Sequence, residues 1–169
     1  MVKKIAFHQR SEIEKIQAQW VKLSGLHSRD EWSAVIVRAA TAAELAATFA
    51  IRREFSAKSQ FSSQFVDKLL IWANGLSGKL DKLLLPALQD EPKFDSVKAV
   101  CKLARKINDK RNSIVHQGQF CSEHEASQMV QDCKMFIETL VCEYEPSFEL
   151  VDGQVCNPRD RMSESDLNH

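Results

Sequence analysis

The chain lacks an excess of charge of either sign, because 23 lysines and arginines balance 23 aspartates and glutamates. A protein that coats duplex nucleic acid normally carries a strong basic surplus. The charge balance therefore excludes that class, and any contact with a polyanion must be local. The sequence also shows no internal repeat.

Cysteine is limited to five residues, which are odd in number and contain no Cys-x-x-Cys pair. Most of them fall where helices would bury them, so we interpret them as reduced thiols of a cytoplasmic protein. The N-terminus has a basic start at Lys3 and Lys4 but no apolar run long enough for a signal peptide, and we expect no membrane span further along. We therefore predict a cytoplasmic protein with no membrane partner and no cofactor.

Apolar residues make up 44% of the chain, which is ample for the core of one domain. They recur at alternating spacings of three and four residues, the period of one helix face. The longest such segment runs from about Asp30 to Phe55 without glycine or proline. Its alanines would let a neighbouring helix approach closely, as in the middle of a bundle. The pattern predicts an all-α fold, an antiparallel up-and-down helical bundle of four to five main helices.

We place the bundle itself in residues 29–143. Within it, residues 62–88 form two helical pieces separated near Asn74-Gly75, with Phe65, Leu69 and Trp72 on the inward face. The next helix begins at a cap on Asp95 or Ser96. The last long helix opens with the capping box Ser122-Glu123-His124-Glu125, and its inward residues are Ala126, Met129, Cys133, Phe136 and Leu140.

The two ends of the chain are expected to lie outside this bundle. Residues 1–28 contribute a short, peripheral helix that starts at the capping box Ser11-Glu12-Ile13-Glu14 and stops at Ser24-Gly25. Residues 144–169 form an irregular or disordered extension. Within that extension, the turn Asp152-Gly153 predicts a short hairpin over residues 148–155.

The stretch Lys110-Arg111-Asn112-Ser113-Ile114-Val115-His116-Gln117-Gly118 places an arginine on an otherwise apolar helix face. Arg111 continues the helical spacing of Val97, Val100, Ala104 and Ile107, so its side chain is predicted to point inward. A guanidinium keeps its proton and is costly to desolvate alone, so it needs a partner, a cleft or a subunit interface. Arg111 is therefore a candidate site residue, close to a helix end that Gly118 predicts.

Arg111 and His116 are too far apart around an ideal helix to hold one group together. Five residues at about 100° each separate the two side chains by about 140°. Either the helix unwinds near His116, or two copies of the motif meet across a twofold axis so that both residues of each chain line one cleft. Both arrangements are compatible with the sequence.

These residues resemble the signature of the HEPN superfamily, Arg-polar-x-x-x-His late in a helical bundle. The motif here is Arg111-Asn112-Ser113-Ile114-Val115-His116, and the resemblance extends in helix order over about residues 29–143. It implies a four-helix up-and-down core that dimerises through the motif region. In many members this core is a metal-independent endoribonuclease of toxin or phage-defence systems. The partners implied are a second copy of the chain, RNA, and an antitoxin or other partner protein.

On this resemblance, Arg111, Asn112 and His116 are the predicted catalytic residues. Histidine titrates near neutrality and can take a proton from a ribose 2′-hydroxyl or return one to the leaving oxygen. The guanidinium of Arg111 suits the charge on a five-coordinate phosphate, and Asn112 would orient one of the two side chains or bond the backbone. Lys110 and Glu44 are the further predicted binding residues. In a competing interpretation, Arg111 only forms a buried ion pair within the monomer, and Glu44 is the acid expected to pair with it.

Other interpretations compete with the enzyme. The superfamily includes catalytically idle domains, so a non-catalytic dimerisation or RNA- or nucleotide-binding module is the alternative function. In some members a tyrosine two residues after the histidine is modified by a partner nucleotidyltransferase, and Gly118 occupies that position here. Positive charge favours a helix C-terminus, which accounts for Lys106 and Lys110 but not for an arginine on the apolar face. His116, Cys121 and His124 lack an evident fourth ligand, so no metal site is predicted.

Overall fold

The computed structural model describes residues 9–152, which are helical with short connections and contain no strand. The fold class predicted from the sequence, an all-α helical bundle, is confirmed. The helices are α1 (Glu12–His27), α2 (Trp32–Lys58), α3 (Ser63–Ala73), α4 (Gly75–Lys79), α5 (Leu85–Leu88), α6 (Phe94–Gln117) and α7 (Glu123–Cys142). A π-helical turn, Leu80–Leu84, joins α4 to α5.

Helix α2 lies at the centre of the bundle and contacts α1, α6 and α7. Its buried face is rich in alanine, which lets these neighbours approach closely. By length and composition alone α2 is long and apolar enough to cross a membrane, a feature that the sequence analysis did not anticipate. However, 61% of its apolar stretch is buried inside the bundle, as in the core helix of a globular fold. The buried residues include Val35, Ala39, Ala42, Ala46 and Phe49.

Helix α1 belongs to the core and is longer than predicted. Its N-terminus has the expected capping box, in which Ser11 and Glu14 bond each other's backbone N–H. The helix then continues through Gly25 to His27 and buries Trp20 and Leu23. A helical glycine costs only about 1 kcal/mol relative to alanine, and packing against α2 offsets that cost. The prediction of a short, peripheral helix was therefore wrong.

The two-piece character of residues 62–88 is confirmed, but the predicted inward face of α3 is wrong at Phe65 and Trp72, whereas Leu69 is half-buried against the core. Val66, Leu70 and Ala73 are buried, whereas the Phe65 and Trp72 residues are 43% and 62% exposed. Apolar residues occupy both faces of this helix, so the three-four period fits two orientations one residue apart. Packing against the rest of the bundle selects the orientation that buries Val66, Leu70 and Ala73.

Helices α6 and α7 follow the predicted pattern except at one end. Helix α6 begins at Phe94 after Lys93, without a side-chain cap, so the predicted cap at Asp95 or Ser96 was wrong. Gly118 ends the helix in the left-handed conformation with φ +66°, as expected. Helix α7 opens with the Ser122 capping box, and all five residues predicted for its inward face are buried.

The chain after α7 is irregular but held against the bundle as far as Asp152. The side-chain amide of Gln17 bonds both the N–H and the carbonyl of Val151. Trp20 Nε1 donates to Asp152 Oδ1 at 2.8 Å, and Leu150 is buried. Residues 148–152 therefore form an ordered strap without a strand. The remainder of the predicted hairpin, from residue 153, lies outside the described residues.

Candidate active site

A cavity of about 490 Å³ lies between α2, the α3–α4 junction and α6. It brings together four of the predicted site residues from two distant parts of the sequence, Glu44 on α2 and Arg111, Asn112 and His116 on α6. Thr41, Asn74, Ser77 and Asn108 complete its polar lining.

Arg111 and His116 line the same cavity although α6 stays helical through Gln117. Asn112 and His116 are four residues apart and so lie on one face of the helix. The guanidinium of Arg111 donates from Nη1 to Asn112 Oδ1 at 2.8 Å, which draws it towards that face. The length and bend of the arginine side chain thus bring its guanidinium to the cavity, although Arg111 and His116 point in different directions from the helix axis. The helix does not unwind, and one chain holds both residues at one cavity.

Arg111 is partly buried, and its guanidinium has no ion-pair partner in the described part of the chain. Glu44, the acid predicted to pair with it, instead accepts from Lys79 Nζ. A guanidinium has five N–H donors, and the bond to Asn112 uses one of them. The cavity therefore presents fixed positive charge with donors to spare, which is the recognition chemistry of a phosphate or carboxylate.

The wall opposite α6 is neutral because its charges are paired. Lys79, whose side chain is 13% exposed, neutralises Glu44 there. Asn108 Nδ2 donates to Ser77 Oγ at 3.3 Å and so links α6 to α4 across the cavity. An anion entering the cavity consequently meets Arg111 without facing an unpaired carboxylate from Glu44.

Lys110 lies outside this cavity. Its ammonium pairs with Glu125 at 2.8 Å, at the capping box that begins α7. This hydrogen bond, together with those from Ser122, lowers the pKa of Glu125 to about 2. Lys110 therefore links the ends of α6 and α7, and the structure does not bring it together with Arg111 as a binding residue.

His116 is exposed near the C-terminus of α6, and no described residue holds its imidazole by a hydrogen bond. Either ring nitrogen of such an imidazole can contact a bound ligand. The imidazole is also not oriented by a second group within one chain.

The α3–α4 junction shapes the remaining wall through unusual backbone. Asn74 and Gly75 adopt positive φ angles of +47° and +70°. At Gly78 the Ala73 carbonyl comes so close that an added Cβ would lie 1.6 Å from its oxygen. A turn this tight needs residues that lack a Cβ or that tolerate a positive φ. It directs residues 74–77 towards α6.

Sequence reasoning predicted Glu44 of this opposite wall but missed its other polar residues, and it missed one residue of α6. Asn108 precedes Asn112 and His116 by four and eight residues, so the helical period already placed it on their face. Asn74 was noticed only as a helix break. For Lys79 and Ser77 no local signal exists, because their position depends on how α4 packs.

The described residues contain no group of three or more histidines, cysteines, aspartates or glutamates arranged to hold a metal ion. The described cysteines, Cys101, Cys121, Cys133 and Cys142, are free thiols, and Cys156 lies outside the described residues. A scan against protein-family models and searches of curated proteins and of solved structures found no significant match to this chain.

Proposed function

We propose that the Arg111 cavity is the active site of a metal-independent endoribonuclease of HEPN type. The observation that supports this most is an arginine without a carboxylate partner in a cavity that also holds a histidine with a free imidazole. The proposal also rests on the motif Arg111-Asn112-x-x-x-His116, which resembles that superfamily. It includes the expectations of a cytoplasmic homodimer, of RNA as the substrate, and of a toxin or phage-defence setting with an antitoxin or other partner protein.

In the proposed reaction, Arg111 binds the non-bridging oxygens of the scissile phosphate. Its hydrogen bond to Asn112 fixes the guanidinium before the substrate arrives, so less reorganisation is needed as charge develops. His116 removes the proton from the ribose 2′-hydroxyl, and the 2′-oxygen attacks phosphorus. The bond from phosphorus to the 5′-oxygen breaks, which leaves a 2′,3′-cyclic phosphate on one product and a 5′-hydroxyl on the other.

The leaving 5′-oxygen also needs a proton. One imidazole serves in turn as base and acid only if it reaches both oxygens, whereas a twofold dimer would supply a second His116 for the acid step. We therefore place the complete site at a dimer interface formed by the open side of the cavity, where His116 is exposed.

The proposal is tested by incubating cellular RNA with the purified chain in excess EDTA. Wild-type protein should cleave, and Arg111→Ala and His116→Ala should lose at least 100-fold in rate, the range of one electrostatic or acid-base contribution. Arg29→Ala and His124→Ala are matched controls, since both residues are exposed and outside the cavity. Cleavage that stops with EDTA, or that survives in His116→Ala, contradicts the proposal.

A second candidate function is a non-catalytic dimerisation or RNA-binding module. It is favoured by the absence, among the described residues, of any group that orients the imidazole of His116. In that case wild-type protein cleaves no RNA between pH 5 and 9, while Arg111→Ala weakens RNA binding or dimerisation. Fluorescence anisotropy with a labelled RNA and sedimentation of the same samples distinguish the two functions.

A further inference from the structure

A groove between α2 and α3 lies next to the Arg111 cavity. It measures about 550 Å³, within the range of about 300–1,000 Å³ that is typical of small-molecule sites. Glu44, Asn74 and Gly75 line both spaces, so a ligand in one is adjacent to a ligand in the other. Its lining also includes two apolar residues of α3, the buried Leu70 and the exposed Ile71.

The charged residues of the groove are engaged in pairs. Arg52 contacts Glu12 at 2.9 Å and Asp67 at 2.5 Å. At the end nearer the cavity, Lys79 pairs with Glu44. A second phosphate would have to compete with these carboxylates for each cation, which disfavours it. The groove instead suits an uncharged, flat group with polar edges, which describes a nucleobase.

Asn74 is the polar side chain at the boundary that is not already engaged. The cavity's other two asparagines are bonded, Asn108 to Ser77 and Asn112 to Arg111. Asn74 is exposed, and in the described part of the chain its amide has no hydrogen-bond partner. A carboxamide offers an adjacent donor and acceptor, the pattern that reads the edge of a base.

We propose that this groove is a nucleobase-binding subsite, in which Asn74 hydrogen-bonds the base of the nucleotide next to the phosphate held by Arg111. The inference rests on the proposed function, because it needs the phosphate at Arg111. Leu70 and Ile71 contact the face of the base, and Asn74 discriminates among bases at its edge. Single-stranded RNA is the substrate class this implies, since only an unpaired base can turn its edge into such a groove.

Asparagine also tolerates positive φ, so the test must separate the backbone role of Asn74 from that of its amide. Asn74→Gly does so, because glycine keeps the φ of +47° and removes the side chain. Asp30→Gly is the matched control, since Asp30 has φ +61° and lies in the α1–α2 turn. Urea unfolding should show both variants folded and no less stable than the wild type by more than about 0.5 kcal/mol.

The readout is the affinity for four labelled 2′-O-methyl oligonucleotides, one of each base, measured by fluorescence anisotropy. These probes cannot be cleaved by 2′-hydroxyl attack. Wild-type protein and Asp30→Gly should prefer one base by about tenfold, the discrimination of one pair of hydrogen bonds. Asn74→Gly should bind all four within about twofold of one another, at the affinity that the wild type shows for its weakest base.

Two results overturn the inference: equal wild-type affinity for the four probes, or an unchanged base preference in Asn74→Gly. Neither contradicts the proposed ribonuclease if RNA cleavage still depends on Arg111 and His116. Binding with base preference but without RNA cleavage fails the proposed function and leaves the subsite supported. Loss of binding to all four probes in Arg111→Ala, with base preference lost only in Asn74→Gly, supports both.

Discussion

Gly78→Ala tests how the cavity wall is built. The added Cβ would lie 1.6 Å from the Ala73 oxygen and 2.8 Å from its carbonyl carbon, and Cβ contacts below 3.0 Å essentially do not occur. Both atoms are backbone, so relief requires α4 to move away from the end of α3 by more than 1 Å. Forcing extra volume into a packed site costs about 1–3 kcal/mol, occasionally more. The higher helix propensity of alanine returns only about 0.5–1 kcal/mol.

Because both clashing atoms are backbone, the cost belongs at the upper end of that range, and we expect Gly78→Ala to lower the free energy of unfolding by about 2 kcal/mol, measured by urea denaturation followed by circular dichroism. Gly25→Ala is the control, because the nearest atom to its Cβ, Arg29 Nη1, is 3.8 Å away and the helix should gain about 0.5–1 kcal/mol. The same shift at Gly78 displaces Asn74 and Ser77, so any RNA cleavage should fall as well. A Gly78→Ala protein as stable as the wild type would refute the close approach of α3 and α4.

Three further predictions concern groups that hold the bundle together. Tyr144→Phe should cost about 1.5–3 kcal/mol in urea unfolding, because Tyr144 donates at 2.7 Å to the buried carboxylate of Glu54. Burial opposes the ionised form of Glu54, but hydrogen bonds from Lys93, Lys58 and Tyr144 outweigh it and lower its pKa below 4.5. The stabilisation from the ionised Glu54 is thus complete above pH 4.5 and is lost as the pH falls further. Stability measured against pH should therefore fall less steeply below pH 4.5 in Glu54→Gln than in the wild type. An unchanged slope would contradict this. Asp152→Ala should release the strap from Trp20, so limited proteolysis should cleave the strap faster than in the wild type. Equal protease resistance of the two proteins would show that the Trp20 contact is dispensable.

The helices of this fold could be predicted where the sequence pattern admits one orientation. Helix α7 has polar residues on its outer face, so Met129, Cys133 and Phe136 point inward without ambiguity. Helix α3 has apolar residues on two adjoining faces, and its orientation depends on contacts with other helices. Gly25 marked a helix end in the sequence, but burial of α1 against α2 outweighs the local cost of a glycine.

The candidate site likewise contains residues that the sequence pattern could identify and residues whose place depends on tertiary packing. Arg111 was identified because one charged residue breaks an apolar face, and Asn112 and His116 followed from its neighbourhood in the motif. The partner of Glu44 was predicted wrongly as Arg111, because sequence shows that an acid lies among alanines but not that Lys79 of α4 reaches it. Asn74 and Ser77 join the cavity only through the turn at residues 73–78, whose tight geometry is a tertiary feature.

The chemistry of the product ends tests the central claim most directly. RNA cleaved by the wild-type chain in excess EDTA should carry 2′,3′-cyclic phosphate and 5′-hydroxyl ends, and a substrate with a single 2′-deoxy nucleotide at the cleaved position should resist. His116→Ala should produce both ends at least 100-fold more slowly, because no positioned base then removes the proton of the 2′-hydroxyl. Products with 5′-phosphate ends, or cleavage of the 2′-deoxy substrate at the wild-type rate, would contradict attack by the 2′-oxygen at the Arg111 cavity.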